Sequence, residues 1–398
     1  MTLLQEKLDA KAKKRSNLFN WRGQFTPEFV EYILQKFAKE GDFVCDPFSG
    51  SGTVLLEAAR QDIKAVGFEV NPAAYTMSRF FTFCNRTQEE RTQFCQEFKA
   101  LLTPQLNKIK NEALFVLDID YRTSYTNLLR FASKIKEKIT GEDQQIFLLN
   151  ILFQSEKDKT LLLKDSIIKS YNYLENALLQ LPYTQYPIEA FLEDAKSTGL
   201  MYERKVDLIV TSPPYINVFN YHQNYRAIIE EFDFDILKVA HSEFGSNRKN
   251  RGNRFKTVIQ YCIDMEVALK SFWSALNETG KIVLILGRES NVRGTAFYNG
   301  QLIMEILKIS KGFTKIQTME RAFINKFGVH IKEDIIVAYK SSTDLNDEME
   351  GRNIAVKHLK RNLMKANPEI KLDIADAIEN CESVLPSPLF HSKNVVIK

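Results

Sequence analysis

Cysteine is scarce in this 398-residue chain and poorly placed for either of its usual structural uses. The five cysteines, Cys45, Cys84, Cys95, Cys262 and Cys381, are odd in number, scattered, and form no Cys-x-x-Cys pair. A zinc cluster or a disulfide framework is not expected, no metal site is predicted, and a reducing cytoplasm suits the thiols. Long apolar runs are also missing: none approaches the roughly 20 residues that a membrane helix needs. The charged stretch from Met1 to Arg15 has no apolar centre to serve as a secretory signal. The expectation is a soluble, cytoplasmic protein. Repeats and low-complexity tracts are absent. Charge of one sign is lacking too, since 54 Lys and Arg face 50 Asp and Glu, leaving +4. Such mild basicity permits a nucleic-acid partner without requiring one, because an electrostatic footprint would be local.

What is present is an ordinary globular composition, 44% apolar and 26% charged. It suffices for one large domain or two ordinary ones with ample core. From Phe25 to Cys84 the pattern is dense α/β. Thr26-Pro27 opens a helix with a capping hydroxyl, a proline in the first turn and Glu28 beside it. Phe29, Ile33 and Phe37 then recur at helical spacing until Gly41-Asp42. Phe43-Val44-Cys45 reads as a buried strand, Thr53 to Arg60 as a helix, and Lys64 to Phe68 as a second strand ending at Glu69. Between about residues 85 and 187 the chain reads as helical. No proline lies between Pro104 and Pro182, and Gly141 is the lone glycine. Leu163, Ile167, Tyr171, Leu174, Leu178 and Leu181 mark one amphipathic helix there. A crossover within a sheet needs only about a dozen residues, so this stretch is an inserted helical subdomain. The α/β pattern resumes with Ala190 to Leu192, Val206 to Val210, Lys281 to Leu286 and Asp334 to Tyr339. The tail from Ser341 to Lys398 is polar, mixed and without a motif.

Two segments carry chemistry. The first is Asp46-Pro47-Phe48-Ser49-Gly50-Ser51-Gly52-Thr53, a glycine loop between a strand and a helix. Its glycines remove side chains, so that backbone N–H groups can approach a ligand at the helix N-terminus. Glu69 lies 23 residues after Asp46, the spacing at which an acid accepts from ribose hydroxyls. No Gly-Lys-Ser/Thr follows, so a triphosphate cradle is excluded. The second segment, Thr211-Ser212-Pro213-Pro214-Tyr215, follows a buried strand. Its consecutive prolines fix φ and donate no N–H, leaving carbonyls free as acceptors. A hydroxyl, stiff carbonyls and an aromatic face together suit an exocyclic amine on a planar base.

Phe25-Thr26-Pro27, the loop from Gly41 to Thr53, and Ser212-Pro213-Pro214-Tyr215 together resemble the DNA amino-methyltransferases, which use S-adenosyl-L-methionine. The resemblance covers roughly residues 20 to 80 and 190 to 340. It implies a Rossmann-like α/β fold with a mostly parallel seven-stranded sheet. The catalytic domain would comprise residues 20–84 and 188–340, the helical insert 85–187 and a C-terminal extension 341–398. It also implies that Phe25, Thr26 and the loop residues Asp46, Pro47, Phe48, Gly50, Ser51, Gly52 and Thr53 hold the methionine part of the cofactor. Glu69 would bind the ribose. Asp194 would face the adenine amino group, although the adjacent Glu193 can also point inward. Ser212, Pro213, Pro214 and Tyr215 would be catalytic.

In that family a serine at the first position of the turn goes mostly with cytosine-N4 methylation, and Asp or Asn with adenine-N6. The expectation is therefore cytosine-N4 methylation of double-stranded DNA by base flipping, with adenine-N6 methylation as the alternative. RNA base methylation and a non-catalytic DNA-binding subunit are more distant readings. Carbon-5 methylation needs a cysteine that typically follows proline, and none of the five does. Such enzymes commonly accompany a restriction endonuclease. The run from His241 to Gln260, with Arg248, Lys249, Arg251, Arg254 and Lys256 against the single acid Glu243, reads as a loop that tracks DNA phosphates.

Overall fold

The computed structural model describes residues 3–10, 14–109, 121–158, 162–216, 221–245, 250, 252–324, 328–342, 345–346 and 348–392, with backbone alone at 121–124. Among the described residues, nine strands form two sheets: β1 (Phe43–Asp46), β2 (Lys64–Phe68), β3 (Ile188–Phe191), β4 (Val206–Thr211), β5 (Leu276–Gly287), β6 (Glu289–Val292), β7 (Thr295–Tyr298), β8 (Phe313–Ile324) and β9 (His330–Lys340). The main sheet runs β3-β2-β1-β4-β5-β9-β8, and β6-β7 is a separate hairpin. β3, β2, β1, β4 and β5 are mutually parallel, whereas β9 runs antiparallel to both β5 and β8. This is the Rossmann-like, mostly parallel seven-stranded sheet that the resemblance implies.

Both faces of the sheet are covered, which is why its central strands read as continuous apolar runs rather than alternating ones. Along each strand, successive residues feed opposite cores. Val44, Leu208, Val210, Val283 and Ile285 enter one, and Cys45, Ile209, Ile282, Leu284 and Leu286 the other. Helices Pro27–Phe37 and Thr53–Ala59 pack in the first core, and Lys256–Ala275 and Asn299–Ile309 in the second.

The structure bears on four of these readings. Pro27 does start its helix, but the Thr26 hydroxyl does not cap it, being buried without a partner among the described residues. Among the described residues, the insert forms helices Gln88–Leu106, Tyr121–Lys136, Glu142–Lys157 and Leu163–Leu179. Its residues Ile167, Tyr171, Leu174 and Leu178 are buried as the periodicity predicts. Yet they belong to the same apolar cluster as the sheet and helix Pro27–Phe37, so the insert has no separate core. Phe147, for instance, stacks on Phe80 at 6.2 Å and meets Phe98 edge-on at 4.9 Å. The run from His241 to Gln260 is not loop throughout, because His241 and Ser242 close helix Ile236–Ser242 and helix Lys256–Ala275, buried on most sides, takes its last residues. Lastly, the motifless tail folds into helices Gly351–Leu363 and Pro368–Glu379, which join the second core through Ile354, Leu359, Ile374 and Ala377.

Strand order reverses between β1 and β4: the chain leaves β1 toward β2 and leaves β4 toward β5. A crevice opens at the carboxyl ends of the strands at such a switch point, and this is where open α/β sheets take ligands. β1 ends at Asp46 and β4 at Thr211, so the two motifs read from the sequence meet at that crevice.

Candidate active site

The junction is welded by hydrogen bonds. Thr211 Oγ1 donates to Asp46 Oδ1 at 2.6 Å, and the Phe48 N–H reaches both Asp46 Oδ1 and Thr211 Oγ1 at 3.2 Å. Asp46 is buried, and burial pushes its carboxyl up to about 7 against the opposing pull of these bonds. The glycine loop then turns in left-handed conformation at Gly50 (φ 51°) and Gly52 (φ 84°). At Gly52 a side chain is doubly barred, since a Cβ would lie 2.7 Å from the Ser78 Cα. Glu69, at the end of β2, stitches the loop from the other side. It accepts from the Gly50 N–H at 3.0 Å and the Asn71 N–H at 2.8 Å. Burial raises its carboxyl to about 7 as well.

These elements wall a single cleft, the kind of concave, largely apolar site with a few polar groups that takes small ligands. Predicted residues Phe25, Asp46, Pro47, Phe48, Gly50, Ser51, Thr53, Glu69, Asp194, Ser212, Pro213, Pro214 and Tyr215 all line it, whereas Thr26 and Gly52 do not. Gly52 shapes the turn from behind. Asp194, rather than Glu193, faces the cleft, and its oxygens also bond within the chain. They accept from the Lys196 N–H at 2.9 Å and the Phe390 N–H at 3.0 Å, with Lys196 Nζ at 3.4 Å. The tail thus holds a wall of the site. Ser387 adds a second anchor by donating from N and Oγ to buried Asp264 at 2.7 and 2.6 Å.

Sequence reasoning missed Trp21, Gln24, Ser49, Asn71, Glu243 and Phe244, all of which line the cleft, as does Tyr221 just after the catalytic turn. Trp21 stacks on Tyr221 at 5.9 Å, and Phe48 meets Phe244 edge-on at 5.2 Å. Trp21 was the one visible signal, an isolated large aromatic shortly before the Phe25-Thr26-Pro27 segment. Gln24, Ser49 and Asn71 sit beside residues already assigned, whereas Glu243 and Phe244 reach the cleft only through tertiary packing. Three of these residues leave a buried polar atom without a hydrogen-bond partner among the described residues: Ser49 Oγ, Asn71 Nδ2 and Glu243 Oε1. Orphaned polar atoms lining one cleft are what a polar ligand would satisfy. Four carboxylates (Asp46, Glu69, Asp194, Glu243) and a single guanidinium, Arg22, line it among the described residues, so the cleft favours a ligand that carries positive charge. A nucleoside with a cationic sulfur and an ammonium group fits this donor set.

On the opposite wall, Tyr215 lies across β5. Its ring packs on Gly287, where a Cβ would come within 2.6 Å of Cε2. Its hydroxyl sits 3.4 Å from Ser212 Oγ and 3.5 Å from Glu333 Oε1. Glu333 in turn faces buried Arg321 at 3.3 Å. Burial, followed by the Glu333 charge, raises the Tyr215 phenol, so it stays protonated. The turn therefore presents a fixed hydroxyl and ring beside the glycine loop. Asp207, at the start of β4, is structural: it accepts from the Phe43 N–H at 2.8 Å and Asn277 Nδ2 at 2.5 Å.

Of the basic residues assigned to DNA, Arg248, Lys249 and Arg251 lie outside the described residues. Arg254 is exposed, while Lys256 pairs with Asp376 of the tail at 3.1 Å. All five cysteines are free, and no described helix is long and apolar enough to cross a membrane.

The DNA methylase family model of the N6/N4 class matches residues 5–80. The chain is 23% identical over 425 residues to the type II methyltransferase M.MjaII of Methanocaldococcus jannaschii, an alignment covering 76% of this chain and 77% of that protein. It is 24% identical over 280 residues to the type II methyltransferase M.BsoBI of Geobacillus stearothermophilus, covering 57% and 55%. Among solved structures, the rRNA methyltransferase aviRa of Streptomyces viridochromogenes aligns over 81% of this chain and 88% of its own at 10% identity, with a TM-score of 0.32. The chain is thus similar to the DNA amino-methyltransferases of type II systems.

Proposed function

We propose that this chain, similar as it is to the type II DNA amino-methyltransferases, methylates the N4 amine of cytosine in double-stranded DNA. The observation that carries the reading is the meeting, at one switch point, of the Asp46–Thr53 loop and the Ser212–Tyr215 turn, joined by the Thr211–Asp46 hydrogen bond. S-adenosyl-L-methionine, when bound, supplies an electrophilic methyl group. The protein's task is to place an amine lone pair in line with it, and such positioning is worth several powers of ten.

In this reading Ser212 Oγ and the Pro213 carbonyl accept the two protons of an exocyclic NH₂, which aims its lone pair at the methyl. The Tyr215 ring supports the face of the base. The glycine loop and Phe25 hold the methionine part of the cofactor, Glu69 the ribose, and Asp194 the adenine end. The target amine is paired inside a duplex, so the nucleotide is flipped out at a cost of about a few kcal/mol. Arg248, Lys249, Arg251 and Arg254 accompany the flipped strand as phosphate contacts; Lys256, already paired, contributes less. The serine at position 212 is the basis for preferring cytosine over adenine. A restriction endonuclease of matching specificity is the expected genetic partner.

Two variants test the assignment. Asp46→Ala should weaken cofactor binding, because it removes the group that fixes Phe48 and Thr211. Tyr215→Ala should abolish transfer of labelled methyl to DNA while cofactor still binds. Full activity of Tyr215→Ala would overturn the catalytic assignment.

A further inference from the structure

One acid in the cleft has no part in the roles above. Glu243 follows helix Ile236–Ser242 and is only 8% exposed. Its Oε2 is 2.8 Å from His222 Nδ1, which fixes the carboxylate. Its Oε1 is buried and has no hydrogen-bond partner among the described residues, although the residue lines the cleft. Leaving a buried carboxylate oxygen without a donor is costly, so a ligand is the natural source of the missing charge or proton.

Its position narrows what that ligand group is. Toward the cofactor wall, Glu243 is close enough to Glu69 and Tyr221 for its charge to raise both groups. Toward the catalytic turn, Gly245 is pressed against the Tyr215 carbonyl, where a Cβ would come within 2.4 Å of the oxygen. Glu243 is therefore held between the Glu69 wall and the Ser212–Tyr215 turn, the region where donor and acceptor must meet.

We infer that Glu243 is a specificity-determining residue of the cofactor site, whose carboxylate recognises the positive charge of the sulfonium. It thereby distinguishes the methyl donor from the spent thioether. The inference rests on the cofactor reading proposed above. In the transfer the amine lone pair forms the new N–CH₃ bond and the S–CH₃ bond breaks with its electron pair left on sulfur. The surplus amine proton passes to solvent. The positive charge thus leaves the sulfur, Glu243 loses its counter-ion, and the neutral product is held less tightly than the donor was. A carboxylate that instead accepted from a ribose hydroxyl or an adenine amino group would make no such distinction, because donor and product share those groups.

The test is isothermal titration calorimetry of the full chain with S-adenosylmethionine, S-adenosylhomocysteine and sinefungin, whose side-chain amine is a cation in place of the methylsulfonium. The wild type should bind the two cations more tightly than the thioether. Glu243→Gln, which keeps shape and a contact to His222, should reduce that preference by about tenfold or more, the scale of one charge pair at a few ångströms under partial screening. Glu243→Asp should keep most of it. Equal weakening of all three ligands in Glu243→Gln, or no preference in the wild type, would overturn the inference and leave the cofactor reading standing. Failure of the wild type to bind any of the three would overturn both. The wild-type comparison needs no variant, so the idea stays exposed to refutation even if Glu243→Gln does not fold.

Discussion

Gly287 is the residue at which a single added methyl group should separate catalysis from cofactor binding. It ends β5 beneath the Tyr215 ring, and a Cβ there would lie 2.6, 2.9 and 3.0 Å from three ring carbons. Carbon atoms settle at about 3.5–4.0 Å, so the ring or the strand must yield by about 1 Å. The strand is pinned by Asn299 Nδ2, which donates to the Gly287 carbonyl at 2.7 Å. The ring is restrained less firmly, through Ser212 and Glu333 at 3.4 and 3.5 Å. The ring should therefore move. Displacing a positioning group by about 1 Å costs about a hundredfold in rate, and overpacking costs about 1–3 kcal/mol in stability. Gly287→Ala should thus lose about a hundredfold in methyl transfer to DNA, measured with labelled cofactor, while calorimetry finds cofactor affinity within about twofold of wild type. Gly294→Ala is the control, because its φ of 84° brings backbone strain with nothing within 4 Å to displace. A Gly287→Ala protein with wild-type turnover would refute the placement of Tyr215 at the reacting centre.

Three further outcomes follow from the same structure. Arg91 is fully buried, and its guanidinium donates to the carbonyls of Phe83, Cys84, Leu181 and Pro182. Arg91→Ala should lower stability in urea unfolding by about 2–4 kcal/mol, and lysine should recover less than half, lacking the planar fork. Burial pushes Asp46, Glu57 and Glu69 up to about 7. Unfolded, these carboxyls titrate near 4, so between about pH 4 and 7 the folded chain holds more protons and stability falls as pH rises. His358, lowered by burial, works against this below its ordinary value, while Asp264, Glu193, Asp194 and Glu333, also raised by burial, add to it. The Tm of the ligand-free protein should decline from about pH 5 to 7.5, and Glu69→Gln should flatten the slope; a rising Tm would contradict the burial of these acids. Finally, replacing Arg248, Arg251 and Arg254 with alanine should weaken DNA binding and reduce the magnitude of its logarithmic salt slope by about 2 to 3. Unchanged affinity and slope would remove that loop from the DNA interface.

How far the sequence could be read depended on how local each feature's cause is. β1, β2 and β4 are short apolar runs buried on both faces, and each ends at a chemically distinctive residue, so their limits and the switch-point site were legible. β8 was not, because most of its residues face solvent, Thr314, Lys315, Gln317 and Thr318 among them or only half-buried, and it is held by pairing with β9. Helix Lys256–Ala275 was not read, because its first turn was drawn into the basic run with the preceding arginines. The tail looked featureless because its anchoring is polar and distant: Asp264 to Ser387 and Asp194 to Phe390 join residues more than a hundred positions apart. Glu243 was visible only as the one acid in a basic run, and its partner His222 and its place beside Glu69 come from tertiary packing. The positions of loop and turn were legible, but the supporting walls from Trp21, Phe244 and the tail were not.

The central claim is that the crevice between β1 and β4 brings a methyl donor to the amine of a DNA base. Nucleoside mass spectrometry tests it most directly, using unmethylated bacterial genomic DNA incubated with the protein and S-adenosylmethionine and then digested. N4-methylcytosine is the predicted product. N6-methyladenine would keep the mechanism and overturn the choice of base drawn from Ser212. The absence of any methylated base, under conditions where the cofactor binds, would contradict the account.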